Sequence, residues 1–209
     1  MVEPHFRAQT LSLIALKPRQ IDLTMAFTQL DPTPALVIID LQKGIVALPT
    51  ARPAEDIVAR AAALARAFRE RGLPVILVNV AGRAPGRTDA TLNFSPPPDW
   101  AELAPGLGAQ PTDLRVTKLQ VGAFYGTALE LILRRCGVTQ IVLAGISTSF
   151  GVESTARAAY DQGYHVVFAE DAMTDRDPAC HQHSVEKIFP RIGQVTTSER
   201  ILAAFASRP

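Results

Sequence analysis

The run Ala35-Leu36-Val37-Ile38-Ile39-Asp40 decides the fold of this chain. Alternate residues of a strand face opposite sides of a sheet, so an unbroken apolar run suits a strand covered on both faces. A half-exposed strand would alternate apolar with polar, and this one does not. The run then stops at a carboxylate. Similar apolar runs recur at 73–80, 114–117, 140–144 and 164–169, with a shorter one at 194–197.

Helical patterns fill the intervals. Ile57, Ala61, Leu64 and Phe68 share one face, with Glu55 and Asp56 at the positive end and Gly72 past the other. Thr127 and Glu130 read as a capping box before Ile132, Leu133 and Cys136, and Gly137 ends that helix. Val152, Ala156, Ala159 and Tyr160 mark a third helix, closed by Gly163. Asp177-Pro178 reads as N-cap and first residue of a fourth, with Val185, Ile188 and Phe189 inward and Pro190 as its stop. Ser198 opens a last helix carrying Ile201, Leu202 and Phe205. Strands alternating with helices imply right-handed crossovers. The expected fold is a three-layer α/β/α domain around a doubly wound, mostly parallel six-stranded sheet.

The chain has 209 residues, enough to bury a core without disulfide or metal staples. Its 21 Lys and Arg balance 20 Asp and Glu, which argues against a nucleic-acid footprint and a polybasic membrane surface. No apolar run approaches the roughly 20 residues of a membrane span. Only Cys136 and Cys180 are present, which points to a reducing, cytoplasmic setting rather than a disulfide scaffold. Residues 1–34 show no clear period and end in Asp31-Pro32-Thr33-Pro34, so they read as a peripheral arm before a single domain at 35–209. The long Gly- and Pro-rich segment 81–113 reads as a loop of functional size.

In doubly wound sheets ligands lie beyond the carboxyl ends of the strands, where the strand order reverses. That rule singles out Asp40, Thr117-Lys118 and the stretch Gly145-Ile146-Ser147-Thr148-Ser149-Phe150-Gly151. Asp40 reads either as a turn residue or as a carboxylate whose burial raises its pKa for acid–base work. Lys118 reads as a solvated lysine or as the partner of that carboxylate. The glycines and hydroxyls of the third stretch suit an ordinary turn, and equally an anion site at a helix start. No phosphate-binding glycine motif is present.

Taken together these pieces resemble the isochorismatase-like hydrolases. The resemblance rests on Ile38-Ile39-Asp40-Leu41-Gln42, Thr117-Lys118, Gly145-Ile146-Ser147-Thr148 and Gly151-Val152-Glu153-Ser154-Thr155-Ala156-Arg157. Gly163-Tyr164, Glu170-Asp171-Ala172 and Val195-Thr196-Thr197-Ser198-Glu199 extend it over residues 35–205, in order. It is closest to a bacterial branch with Gly-Ala-Phe-Tyr-Gly-Thr at 122–127 and Phe-Pro-Arg at 189–191. The resemblance implies catalytic roles for Asp40 and Lys118 and a nucleophilic Cys at a position that here is Gly151. A glycine cannot attack a carbonyl, so thioester chemistry is not expected. Members that hydrolyse the vinyl ether of isochorismate also carry Gly there; by that likeness Asp40 is the general acid and Lys118 its electrostatic partner.

The same resemblance places Gln120, Ser147, Thr148 and Phe150 around a small, anionic substrate. It also implies a cis peptide before Ser147 and a homo-oligomer, a dimer or tetramer. Isochorismate-cleaving members follow the Lys with an aromatic, an Arg and a Tyr, whereas this chain has Leu119, Gln120 and Val121. Arg83, or Arg87, is the candidate replacement cation. Metal-binding members show Asp-x-His after the second strand; Asn79-Val80-Ala81-Gly82-Arg83 stands here, so no metal or other cofactor is expected. Two alternatives stay open: a relative that binds without turnover, and a hydrolase built on Cys180. Cys136 and Cys180 otherwise read as structural, Trp100 as a cap on the pocket or an oligomer contact, and Arg157 as an ion-pair residue.

Overall fold

The computed structural model describes residue 27, residues 29–89 and residues 96–206. The first 26 residues, and with them most of the arm, lie outside these. Six strands form one sheet: β1 (Pro34–Ile39), β2 (Val75–Val80), β3 (Leu114–Lys118), β4 (Gln140–Ile146), β5 (His165–Thr174) and β6 (Gln194–Thr196). Their spatial order is β3-β2-β1-β4-β5-β6, and every pairing is parallel. The order therefore reverses between β1 and β4. The helices are α1 (Lys43–Val46), α2 (Ala54–Arg69), α3 (Leu129–Arg135), α4 (Glu153–Asp161), α5 (Pro178–His183) and α6 (Ser198–Ala206).

The period of two along β1 explains the layers. Leu36 and Ile38 enter one apolar cluster with Ile57, Leu64 and Phe68 of α2 and Phe205 of α6. Ala35, Val37 and Ile39 enter the other, with Leu133 of α3, Ala156 of α4 and Phe189. Aromatic pairs anchor each side. Phe68 meets Phe205 edge-on at 5.0 Å, and Phe168 of β5 stacks on Phe189 at 3.8 Å. Truncating a ring buried this fully costs about 3–5 kcal/mol in other cores. Leu30 is buried in the first cluster with Phe27 packed against it, so the packed body includes residues upstream of Ala35.

Several local expectations change. β5 does not stop at Ala169: its register on β4 jumps from Leu143↔Phe168 to Gly145↔Met173. The polar Glu170-Asp171 pair that looked like a strand end is part of this bulge. Asp171 there accepts from the Ser198 amide and hydroxyl, both at 2.6 Å, and so caps α6. The Thr127–Glu130 capping box does not form. Ala128 is the N-cap of α3 without a side-chain bond, Thr127 Oγ1 accepts instead from the Leu129 amide, and Glu130 pairs with Arg134. Asp177 does cap α5, accepting from the Ala179 amide at 2.8 Å. Both cysteines are exposed, so Cys136 is not the buried filler its helix face suggested, and Cys180, read as structural, is not buried either.

Gly145 is what lets β1 and β4 close at the reversal point. Its φ is +124°, and a Cβ there would fall 2.1 Å from the Ile39 carbonyl oxygen. Only glycine meets both conditions. No helix among the described residues is long and apolar enough to cross a membrane.

Candidate active site

Asp40 leaves β1 with φ +52°, the one non-glycine residue in the left-handed region among those described. Aspartate tolerates that conformation better than most residues. Its amide still donates to the Val78 carbonyl at 2.9 Å, so the turn begins while the backbone is fastened to β2. Gln42, completely buried, ties the next step down. Its side-chain amide exchanges two hydrogen bonds with the Val80 backbone, at 2.8 and 2.9 Å, and donates to the Trp100 carbonyl at 3.1 Å. Trp100 itself packs over Gly44, where a Cβ would fall 1.8 Å from its ring. It thus closes against α1.

Lys118 ends β3 and reaches across to Asp40, donating to Oδ2 at 2.7 Å and to the Gln120 carbonyl at 3.2 Å. Both residues are buried, with 5% of Asp40 and 2% of Lys118 exposed. Desolvation raises the Asp40 pKa to about 6, against the pull of the Lys118 charge and hydrogen bond. Asp40 Oδ1 is buried and accepts no hydrogen bond among the described residues. A carboxylate with a pKa near 6 and one free oxygen can give or take a proton close to neutral pH.

Gly151 stands beside this pair. A Cβ on it would lie 3.3 Å from Asp40 Oδ2 and 3.0 Å from Ile39 Cγ2. The peptide between Ile146 and Ser147 is cis, and residues Thr148–Val152 form a π-helical turn leading into α4. The amides of Phe150 and Val152 donate to the Ser147 carbonyl at 3.2 and 3.1 Å. The Ser149 amide and hydroxyl donate to Asp175 at 2.7 and 2.8 Å. The anion position at this helix start therefore holds the chain's own carboxylate. Phe150 instead presents its ring, which is 64% exposed.

The structure brings Asp40, Lys118 and Gly151 together. Ser147 is half-buried at the turn, and the Thr148 hydroxyl lies 2.8 Å from His181 Nδ1. The Gln120 side chain folds its own loop: it accepts from the Leu119 amide and donates to the Gly122 and Tyr125 carbonyls. Arg83 and Arg87 are exposed on the segment that follows β2. Asn79 accepts from the Thr117 hydroxyl at 2.8 Å and donates to the Ala101 carbonyl at 3.0 Å. Arg157 pairs with Glu153 one turn away at 2.9 Å. Sequence reasoning missed Gln42, Asp175 and His181 as supports. Gln42 stood in the Ile38–Gln42 stretch that carries the resemblance, whereas nothing in the local pattern marks Asp175, one of several polar residues in Thr174-Asp175-Arg176-Asp177.

Comparison with known proteins gives a consistent picture. Residues 34–200 match the Isochorismatase domain family. An uncharacterised isochorismatase family protein of Escherichia coli O157:H7, YecD, is 46% identical over 182 residues, 82% of this chain and 96% of that protein. The structure of an isochorismatase family protein from Burkholderia thailandensis superposes with a TM-score of 0.81 at 47% identity, covering 86% of this chain and 98% of that one. Maleamate amidohydrolase of Pseudomonas putida is 26% identical over 178 residues, 79% of this chain and 84% of that enzyme.

Proposed function

Since this chain belongs to the isochorismatase family, a family of hydrolases, we propose that it hydrolyses a small, anionic molecule without a covalent enzyme intermediate, with Asp40 as the general acid–base group and Lys118 as its electrostatic partner. The observation that carries the reading is the buried Asp40–Lys118 contact of 2.7 Å with Asp40 Oδ1 left without a partner among the described residues, next to a residue that has no side chain.

Vinyl-ether hydrolysis suits this arrangement. Protonated Asp40 delivers its proton to the terminal carbon of the enol ether, and the electron pair of the double bond forms the new C–H bond. The adjacent carbon becomes an oxocarbenium centre. Water adds to it and returns a proton to the Asp40 carboxylate. The hemiketal then breaks its C–O bond to give a ketone and an alcohol, with one water consumed. Lys118 holds Asp40 in place and limits the build-up of negative charge when the proton leaves. An amide route through a thiolate would need a nucleophile that position 151 does not supply. Arg83 and Arg87, exposed just beyond β2, are the groups proposed to meet the substrate's anionic end.

The test is a turnover screen of anionic vinyl ethers and small amides with the purified chain, alongside Asp40→Asn. Vinyl-ether turnover that falls by about 10²–10⁴ in the variant is the expected outcome. Turnover unchanged in Asp40→Asn would sink the mechanism.

A further inference from the structure

The Cys180-His181-Gln182-His183 stretch takes no part in the mechanism above, yet it contains a buried histidine aimed at the active-site turn. His181 and His183 point apart, as their spacing requires: His181 is buried and His183 exposed. His181 Nδ1 lies 2.8 Å from the Thr148 hydroxyl. Thr148 is completely buried in the turn that carries Gly151 to the Asp40 carboxylate. On its other side His181 lines a cavity of about 540 Å³ with Arg52, Glu170, Gln182 and Glu186.

The polar accounting fixes the roles. A buried hydroxyl proton needs an acceptor. The only contact found for Thr148 Oγ1 among the described residues is His181 Nδ1. Thr148 therefore donates, Nδ1 accepts, and the ring proton of the neutral imidazole sits on Nε2. The groups facing the ring agree with neutrality: burial and the Arg52 charge push its pKa down, against Glu170 and Asp175. Nε2 lies 4.0 Å from Glu170 Oε2, too far for a hydrogen bond. Glu170 is itself engaged by Arg52, which donates to its Oε2 and to its carbonyl. The order hydroxyl, imidazole, carboxylate is that of a nucleophilic triad, but Thr148 is sealed from solvent and presents no oxygen to a substrate.

We propose that His181 is a positioning residue: through the Thr148 hydroxyl it sets where the 147–151 turn, and hence Gly151, stands against Asp40 and Lys118. Its effect on turnover rests on the reaction proposed above; its effect on the turn does not. The two ring nitrogens give a chemical test. Asparagine can place an acceptor where Nδ1 stands, whereas glutamine reaches toward the Nε2 position.

Two readouts separate the cases. The first is turnover of the substrate found in the screen. His181→Gln and Thr148→Val are expected to lower kcat by about ten- to a hundred-fold, the scale of a small misplacement in an active site, with KM moving little. His181→Asn keeps the parent kcat. The second needs no substrate. Gly151→Cys, made with Cys136→Ser and Cys180→Ser because both native thiols are exposed, puts a reporter thiol beside Asp40. The pH dependence of its alkylation by iodoacetamide gives a thiol pKa set by the distance to Asp40 and Lys118. That pKa should move by about half a unit or more with His181→Gln or Thr148→Val and stay put with His181→Asn.

An alkylation profile identical in all three variants overturns the proposal. So does an equal loss in His181→Asn and His181→Gln, which would make the imidazole a packing element only. Normal thiol shifts with a turnover that ignores Asp40→Asn would instead overturn the reaction and leave the positioning role standing.

Discussion

At the amino end of β3, Asp113 receives Arg69 Nε on Oδ1 and Nη2 on Oδ2, both at 2.8 Å, and the Gln110 amide at 2.7 Å. At the carboxyl end of β1, Asp40 receives one ammonium at 2.7 Å on Oδ2 and, among the described residues, nothing on Oδ1. Both carboxylates are buried beside a cation. The first is a finished joint between α2 and the loop before β3. The second keeps an acceptor in reserve and sits where the strand order turns. Burial with both oxygens engaged makes structure; burial with one oxygen left open makes a group able to exchange protons.

The hardest test of that contrast removes each carboxyl charge. Asp40→Asn is expected to lower kcat/KM by about 10²–10⁴, measured on the vinyl ether that the parent turns over. Asp113→Asn should leave kcat/KM of the folded protein within about twofold, since surface-distant joints act on stability instead. Equal losses in the two variants would erase the distinction.

Stability should sort the pairs the other way. Asp113→Ala strands the Arg69 guanidinium and is expected to cost about 3 kcal/mol in urea unfolding, the low end for a broken buried pair because Arg69 is partly exposed. Replacing both members at the active site, with Asp40→Asn and Lys118→Met, removes both charges together, strands neither, and should cost less than Asp113→Ala does. A double variant less stable than Asp113→Ala would mean that the pair is structural after all.

pH offers a finer cut. The Asp40 pKa lies near 6 in the fold against 3.8 for the free side chain, so it is raised. The folded state then holds the Asp40 proton more tightly than the unfolded chain. This contribution to stability is fully present below 3.8 and is lost as pH rises through about 6, on the order of 3 kcal/mol in all. The stability gap between parent and Asp40→Asn should shift by that order between pH 3 and pH 8. If Asp40 is the general acid, kcat/KM is flat below about pH 6 and falls roughly tenfold per unit above it. Lys118→Met should move that break upward, because the Lys118 charge and hydrogen bond hold the pKa down. A break that stays in place would assign the titration to another group.

The layers were legible in the sequence because the central strands β1 and β4 are nearly continuous apolar runs, and Asp40 because its run stops on a carboxylate; β3, Leu114-Arg115-Val116-Thr117-Lys118, alternates as an edge strand does, and Lys118 stood out only by its place at that strand's carboxyl end and by the resemblance. The crossover rule fixes which strand ends meet. What escaped are contacts formed only by tertiary packing. Asp175 reaches the Ser149 amide and His181 the Thr148 hydroxyl across 26 and 33 residues. Periodicity carries no information about either. At the helix start three of the turn's amides are already engaged, Ser149 by Asp175 and Phe150 and Val152 by the Ser147 carbonyl, which no local pattern announces. The cysteines escaped for another reason. Cys136 sits at the helix end, past the last full turn of the apolar face, where the pattern no longer implies burial.

The smallest expected effect concerns the glycine between these worlds. Gly151→Ala places a methyl 3.3 Å from Asp40 Oδ2 and 3.0 Å from Ile39 Cγ2. The contact with Ile39 is tight, and the gain from alanine over glycine near a helix start is at most about 1 kcal/mol. The two nearly cancel, so stability should change by less than about 1 kcal/mol. The methyl nevertheless removes water from the carboxylate without offering a hydrogen bond, and so raises the Asp40 pKa further. The break in kcat/KM should move up by a fraction of a unit, while Asp113→Asn leaves it where it was. A Gly151→Ala profile superposable on the parent's would show that the space beside Asp40 has no bearing on its proton, and the contrast between the two carboxylates would then rest on Lys118 alone.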